Sequence, residues 1–185
     1  MILADMTEPA NTPDYDPRFW LKQALELNQA AIHLWDAIRA DFEKARQFDV
    51  GFELNSREVP FMNLGGVFWL NAGFALENSL KGLIIQNQPS LISGGILNKK
   101  LRTHDLLKLA DLANVELNGV EGFYLFIGTQ CVKWAGRYPV SLKPGEEAPL
   151  VFSEADVTTY KTVFEKITKR FDKKYSVMVR FKRVI

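Results

Sequence analysis

Cysteine is almost missing from this chain: Cys131 stands alone among 185 residues. A lone thiol cannot close an internal disulfide, so a disulfide scaffold is excluded and nothing points to secretion. Histidine is nearly as scarce, with only His33 and His104. Two His and one Cys cannot build a zinc-ligand cluster, so no metal site is expected. Long apolar runs are lacking too. The most apolar stretch, residues 61–85, is broken by Asn63, Asn71, Glu77, Asn78 and Lys81, which argues against a membrane span. The N-terminal residues lack a basic segment followed by an apolar one, so no secretory signal is expected. A cytoplasmic location follows by elimination. No phosphate-binding Gly-rich loop occurs, because Gly65-Gly66 and Gly94-Gly95 have the wrong spacing and context. There is no G-x-S-x-G elbow, internal repeat or low-complexity block. No cofactor is expected.

What is present suits one globular domain. The length is that of a single core-forming unit, and the 13 Phe predict a bulky interior. The net charge of +1 hides an asymmetry. Residues 1–60 carry eleven acids against six bases, whereas residues 161–185 carry nine bases against two acids. A basic end can attract phosphates. It can equally be a solvated helix face that complements the acidic N-terminal half.

Apolar periodicity predicts a helical protein. Residues 1–16 read as a loose arm. Asp16-Pro17 is an N-cap and first-turn pair opening helix 1. Its apolar stripe is Trp20, Ala24, Leu27, Ala31, Leu34/Trp35, Ile38 and Phe42. Lys22, Glu26, Gln29, His33, Asp36 and Glu43 form the polar face. Helix 2, from about Pro60 to Gln88, is apolar on most sides and so should be the central helix of a bundle. Gly66, Gly73 and Gly82 make sense there if a neighbouring backbone approaches closely. Residues 89–102 read as a loop. Thr103 is the expected N-cap of a short helix 3 over His104 to Asn114, with Asp105 in its first turn. Helix 4, Val120 to Ala135, should bury Phe123/Tyr124, Ile127, Cys131 and Trp134, ending at Gly136 and Pro139. Cys131 on that stripe reads as a packed core thiol. After a loop from Val140 to Phe152, Ser153 opens helix 5, with Val157, Tyr160/Lys161, Phe164, Ile167 and Phe171 as its buried stripe. Residues 17–174 thus form one helical domain. Residues 175–185, partly alternating apolar and basic, read as a tail or short strand.

Once those site types are excluded, a polar set on helices 2 to 4 remains. Glu77 and Lys81 form an i,i+4 pair in the favourable order. Thr103, His104 and Asp105 open helix 3. Arg137-Tyr138-Pro139 closes helix 4. These blocks, in this order, resemble the HEPN (higher eukaryotes and prokaryotes nucleotide-binding) family over roughly residues 60–172. Its members carry a Glu and Lys on one central helix, a His-Asp-Leu turn, and an Arg, often as Arg-Tyr-Pro, ending the next long helix. The resemblance implies an all-α, up-and-down bundle of four to five helices, commonly a homodimer, binding nucleotides or RNA. It implies Arg137 and His104 as candidate catalytic groups and Glu77, Lys81, Asp105 and Tyr138 as candidate binding groups. It also implies a nucleotidyltransferase or antitoxin as a possible partner.

Nuclease members of the family carry a His separated from the Arg by four to six intervening residues, because metal-independent RNA cleavage needs a proton-transfer group beside a cation. Here those positions hold Leu142, Lys143 and Pro144. Binding without robust catalysis is therefore the first expectation. A metal-independent RNase of a toxin–antitoxin or phage-defence system, with His104 as the base, is the second. A structural interaction protein is the third. In that last case His104 and Asp105 merely cap helix 3, and Arg137 pairs with Glu77 or Asp105 to fix the packing.

Overall fold

The computed structural model describes residues 16–47, 64–135 and 153–173. The expected arm at 1–15, the start of helix 2 at 60–63, the segment 136–152 with Arg137 and Tyr138, and the tail from 174 onward lie outside the described residues, as does the side chain of Phe42.

The chain folds as an all-α bundle. Among the described residues it has α1 (Pro17–Gln47), α2 (Leu64–Asn87), α3 (Leu106–Leu112), α4 (Gly119–Gln130) and α5 (Glu154–Thr168). A π-turn, Cys131–Ala135, continues α4. The central-helix expectation holds: α2 packs against each of the other four helices. Its residues Phe68, Trp69, Leu76, Leu80, Leu83, Ile84 and Ile85 are almost fully buried. Each such large apolar side chain contributes about 1.5–3 kcal/mol through burial. Trp69 stacks on Tyr124 of α4, ring centroids 5.7 Å apart. Tyr160 of α5 meets Phe68 edge-on and donates its hydroxyl to Asn28 Oδ1 of α1 at 2.7 Å.

The helix starts follow local chemistry. The Asp16 carboxylate accepts the Arg18 backbone N–H at 2.9 Å, so α1 begins at Pro17. The Arg18 guanidinium then holds that carboxyl below its ordinary range, against the opposing effect of partial burial. Both α4 and α5 open with capping boxes, Asn118/Glu121 and Ser153/Asp156. Each capping acid is shared with the other helix. Glu121 accepts from Lys166 of α5 at 2.8 and 3.0 Å. Asp156 accepts the Tyr124 hydroxyl of α4. Burial, followed by the Asp156 carboxylate, pushes the Tyr124 hydroxyl up to about 12.

Several expectations need correction. The N-cap of α3 is Asp105, whose Oδ1 accepts the Lys108 N–H at 3.2 Å; Thr103 instead accepts the Asp105 N–H at 3.1 Å. The segment 89–102 is more than a loop. It contains a small antiparallel hairpin, β1 (Ile92–Ser93) with β2 (Ile96–Leu97), flanked by two 3-10 turns. Gly94 and Gly95 both have positive φ, +57° and +77°, as a tight two-residue hairpin turn demands. Phe123 is 48% exposed rather than buried; Leu125, Gly128 and Thr129 face the core instead. Lys161 is exposed, and Val163 takes a buried position on α5.

The glycines of α2 divide. A Cβ on Gly73 would lie 2.9 Å from the Gly128 carbonyl oxygen and 2.7 Å from Val132 Cγ2; one on Gly66 would have its nearest neighbour at 3.8 Å. On Gly82 it would meet Trp20 Cβ at 2.8 Å. Gly73→Ala should therefore cost about 1–3 kcal/mol by overpacking, and Gly66→Ala should gain about 0.5–1 kcal/mol from helix propensity. Urea denaturation of the two variants checks this, and equal effects would contradict it. Glu121 supplies a pH test. Burial opposes its ionisation, but Lys166 and the Asn118 backbone N–H outweigh burial and hold it below its ordinary range. A depressed carboxyl stabilises the fold above its unfolded pKa, and that stabilisation is lost as pH falls through the folded value. Glu121→Gln should cost roughly 1–2 kcal/mol at neutral pH, with the deficit shrinking below about pH 4. Thermal melts across pH read it directly.

Candidate functional site

The site begins one turn along α2 from the glycine crossing. Glu77 and Lys81 are successive residues on one face, and Lys81 Nζ donates to Glu77 Oε1 at 2.7 Å. Their side chains are only 7% and 9% exposed. Burying two charges is costly, and it is tolerated only where further hydrogen bonds satisfy them.

The third partner is His104. Its Nδ1 lies 2.9 and 3.1 Å from the two Glu77 carboxylate oxygens. The imidazole is 55% exposed, so it forms the outer end of a relay that begins in the core. The turn carrying it is pinned on both sides. Leu101 and Leu106 are fully buried. The Leu106 N–H donates to Thr129 Oγ1 of α4 at 3.0 Å, and that hydroxyl donates to the Leu125 carbonyl at 2.9 Å.

This geometry fixes the proton of His104. A carboxylate ion-paired with an ammonium only accepts, so Nδ1 is the donor. Nε2 is left on the outside, an acceptor in neutral imidazole and a donor in the cation. Such a group can bind a polar ligand or transfer a proton.

Asp105 lies beside it. Burial opposes its ionisation, but the Lys108 backbone N–H and ammonium, with a weaker contribution from Lys133 of the π-turn, prevail and hold it below its ordinary range. Lys108 Nζ lies 3.1 Å from Asp105 Oδ2.

The structure thus brings Glu77, Lys81 and His104 together, whereas Asp105, next to His104 in the chain, caps α3 and pairs with Lys108. Arg137 and Tyr138 lie outside the described residues. Cys131 is fully buried, with its thiol pushed up to about 12 by that burial, as a packed core thiol should be. His33 sits on the exposed face of α1, near Gln29. Among the described residues no cluster of three His, Cys, Asp or Glu could hold a metal, and no helix is long and apolar enough to cross a membrane.

The basic C-terminal helix presents exposed Lys161 and Lys169 to solvent. Among the described residues Lys166 pairs with Glu121 of α4 and Lys169 with Glu165 of α5 itself. The sequence reading overlooked the cations ahead of the site, Lys99, Lys100 and Arg102. Lys99 and Arg102 line a groove of about 470 Å³ beneath the hairpin. The signal was in plain view as a basic run entering His104. No protein-family model, curated protein or solved structure matches this chain, so its chemistry has to be read from its own side chains.

Proposed function

We propose that this protein is a HEPN-like helical module that binds RNA or nucleotides around His104, without robust catalysis. One observation carries the reading: an exposed imidazole held in a single orientation by a buried Glu77–Lys81 pair. A merely solvated surface His needs no such support. In this reading His104 touches the ligand, while Glu77 and Lys81 act from beneath as positioning residues. Arg137 and Tyr138 remain candidate contacts on the strength of the resemblance.

His104→Ala should weaken binding of a labelled single-stranded RNA about tenfold, or ~1.4 kcal/mol, at low salt. The melting temperature should move little. Glu77→Gln should weaken binding too, and should also destabilise the fold by about 3–5 kcal/mol because it strands the buried Lys81. Adding Lys81→Met should recover much of that stability but not the binding. Fluorescence anisotropy and denaturation separate the two effects. RNA that fails to bind, or binds regardless of His104→Ala and Arg137→Ala, would sink the reading.

A second reading is a metal-independent RNase, favoured by the Glu77–His104 couple, since a buried carboxylate orienting an imidazole is a proton-transfer arrangement. Total RNA incubated with the protein in EDTA decides it: RNA that stays intact, or cleavage that survives His104→Ala, counts against it.

The exposed apolar side chains favour a protein partner as well. Leu107 of α3 and Val120, Phe123 and Phe126 of α4 all face outward, and Leu107 lies against Gly122. We assign this surface to homodimerisation; a nucleotidyltransferase, an antitoxin or another scaffold chain is the competing occupant. Phe123→Lys with Phe126→Lys should convert a two-subunit mass to one subunit by light scattering. A wild-type protein that is already monomeric removes the homodimer.

A further inference from the structure

The groove beneath the hairpin has the chemistry of an oxyanion site. Its polar lining is Ser90, Ser93, Asn98, Lys99 and Arg102, over a floor of Leu91, Ile96 and Leu97, with no carboxylate among them. Arg102 is the telling residue. Its Nε–H is fixed on the Leu97 carbonyl at 2.8 Å, and no other side-chain bond is made by its guanidinium among the described residues. The two terminal nitrogens are therefore held as an open fork, the geometry that matches a phosphate oxygen pair. Lys99 likewise has no acid partner among the described residues. Asn98 uses its Oδ1 to accept the Lys100 N–H at 3.0 Å, which leaves its amide nitrogen as a further donor.

The walls are preorganised. The Asn98 N–H donates to the Leu91 carbonyl at 2.8 Å. The hairpin turn is set by two positive-φ glycines, and Ile92 and Leu101 anchor the segment in the core. Fixed donors lose less freedom on binding than mobile lysines do.

We propose that this groove binds a phosphate group, and that it acts with His104 on one ligand. The second half rests on the RNA or nucleotide reading above. Arg102 is two residues from His104, a backbone span of at most about 7 Å. A phosphate in the groove and a group on His104 Nε2 can therefore belong to the same or adjacent nucleotides. The phosphate is either a backbone diester of RNA or the terminal phosphate of a free nucleotide.

The test uses the full chain, with Arg102→Gln, Lys99→Gln and the double variant beside His104→Ala. Binding of a single-stranded RNA octamer and of AMP is measured over a salt series. In parallel, inorganic phosphate is titrated while the Arg102 Nε–H is followed by NMR. Each of the two groove variants should weaken RNA binding about five- to tenfold, with an unchanged melting temperature. Each should also lower the salt slope by about 0.7, the value for one single-strand phosphate contact. Loss confined to RNA identifies the diester; equal loss for AMP identifies the terminal phosphate. Binding of RNA kept within twofold by the double variant, while His104→Ala weakens it, overturns the groove and leaves the His104 reading standing. Inorganic phosphate that shifts the Arg102 resonance, with neither RNA nor AMP bound, supports the groove and overturns the shared-ligand half. No response to any probe overturns both.

Discussion

Everything at the candidate site depends on the place where α2 and α4 meet backbone to backbone. At Gly73 the two chains approach so closely that a single methyl group would sit 2.9 Å from the Gly128 carbonyl oxygen. Gly128 is bare for a second reason: the space its side chain would fill is taken by Leu106 Cδ1, 2.8 Å from that position. Leu106 is the first residue of α3, so the crossing also decides where α3 docks. Two residues earlier in the chain, His104 is brought over α2, and Glu77 waits there, one helical turn from Gly73. A local absence of side chains thus propagates through one leucine to the placement of an imidazole. Packed interiors transmit such constraints because they have little free volume to absorb them.

Electrostatics then does two different jobs in the same bundle. At the α4–α5 contact, the capping acids Glu121 and Asp156 satisfy helix-end N–H groups and bind the facing helix at once. Those pairs close on themselves and contribute stability. At the Glu77 site the accounting differs. Lys81 and Glu77 are buried, so their attraction does little more than offset desolvation. What that arrangement yields is orientation: an outer imidazole with a defined donor nitrogen inside and a defined free nitrogen outside.

The sequence made much of this visible, and the failures have physical causes. Asp16-Pro17 and Ser153 announced helix starts because capping is a local reaction between neighbours. The stripe of α1 was legible because one face meets α2 and the other meets solvent. The α3 cap was displaced from Thr103 to Asp105 because both can cap; the choice was made by Leu106, whose burial and bond to Thr129 fix the first turn from outside the helix. Phe123 was misassigned for a similar reason. On α4 most positions are apolar, so periodicity cannot tell a core face from an exposed apolar one, and Leu125 and Thr129 win the interior through the Gly128 crossing. The hairpin hid because two-residue strands have no alternation to read. The Glu77–Lys81 pair was legible from spacing alone, whereas the Glu77–His104 contact joins residues 27 apart and needs the tertiary fold.

The distribution of cations sharpens the functional argument. Counting bases along the chain draws attention to the C-terminal helix, yet Lys166 and Lys169 there are matched by Glu121 and Glu165. A matched charge offers a phosphate little, because binding must first displace its partner. The residues around the hairpin are the reverse case. Lys99 and Arg102 face a groove whose described lining holds no carboxylate, and the one side-chain bond Arg102 makes among the described residues leaves its fork open. Charge that the fold leaves unmatched beside an oriented imidazole is a better guide to a ligand than charge that is merely abundant. By that criterion the proposed ligand face is the turn between the hairpin and α3, rather than the basic C-terminal helix.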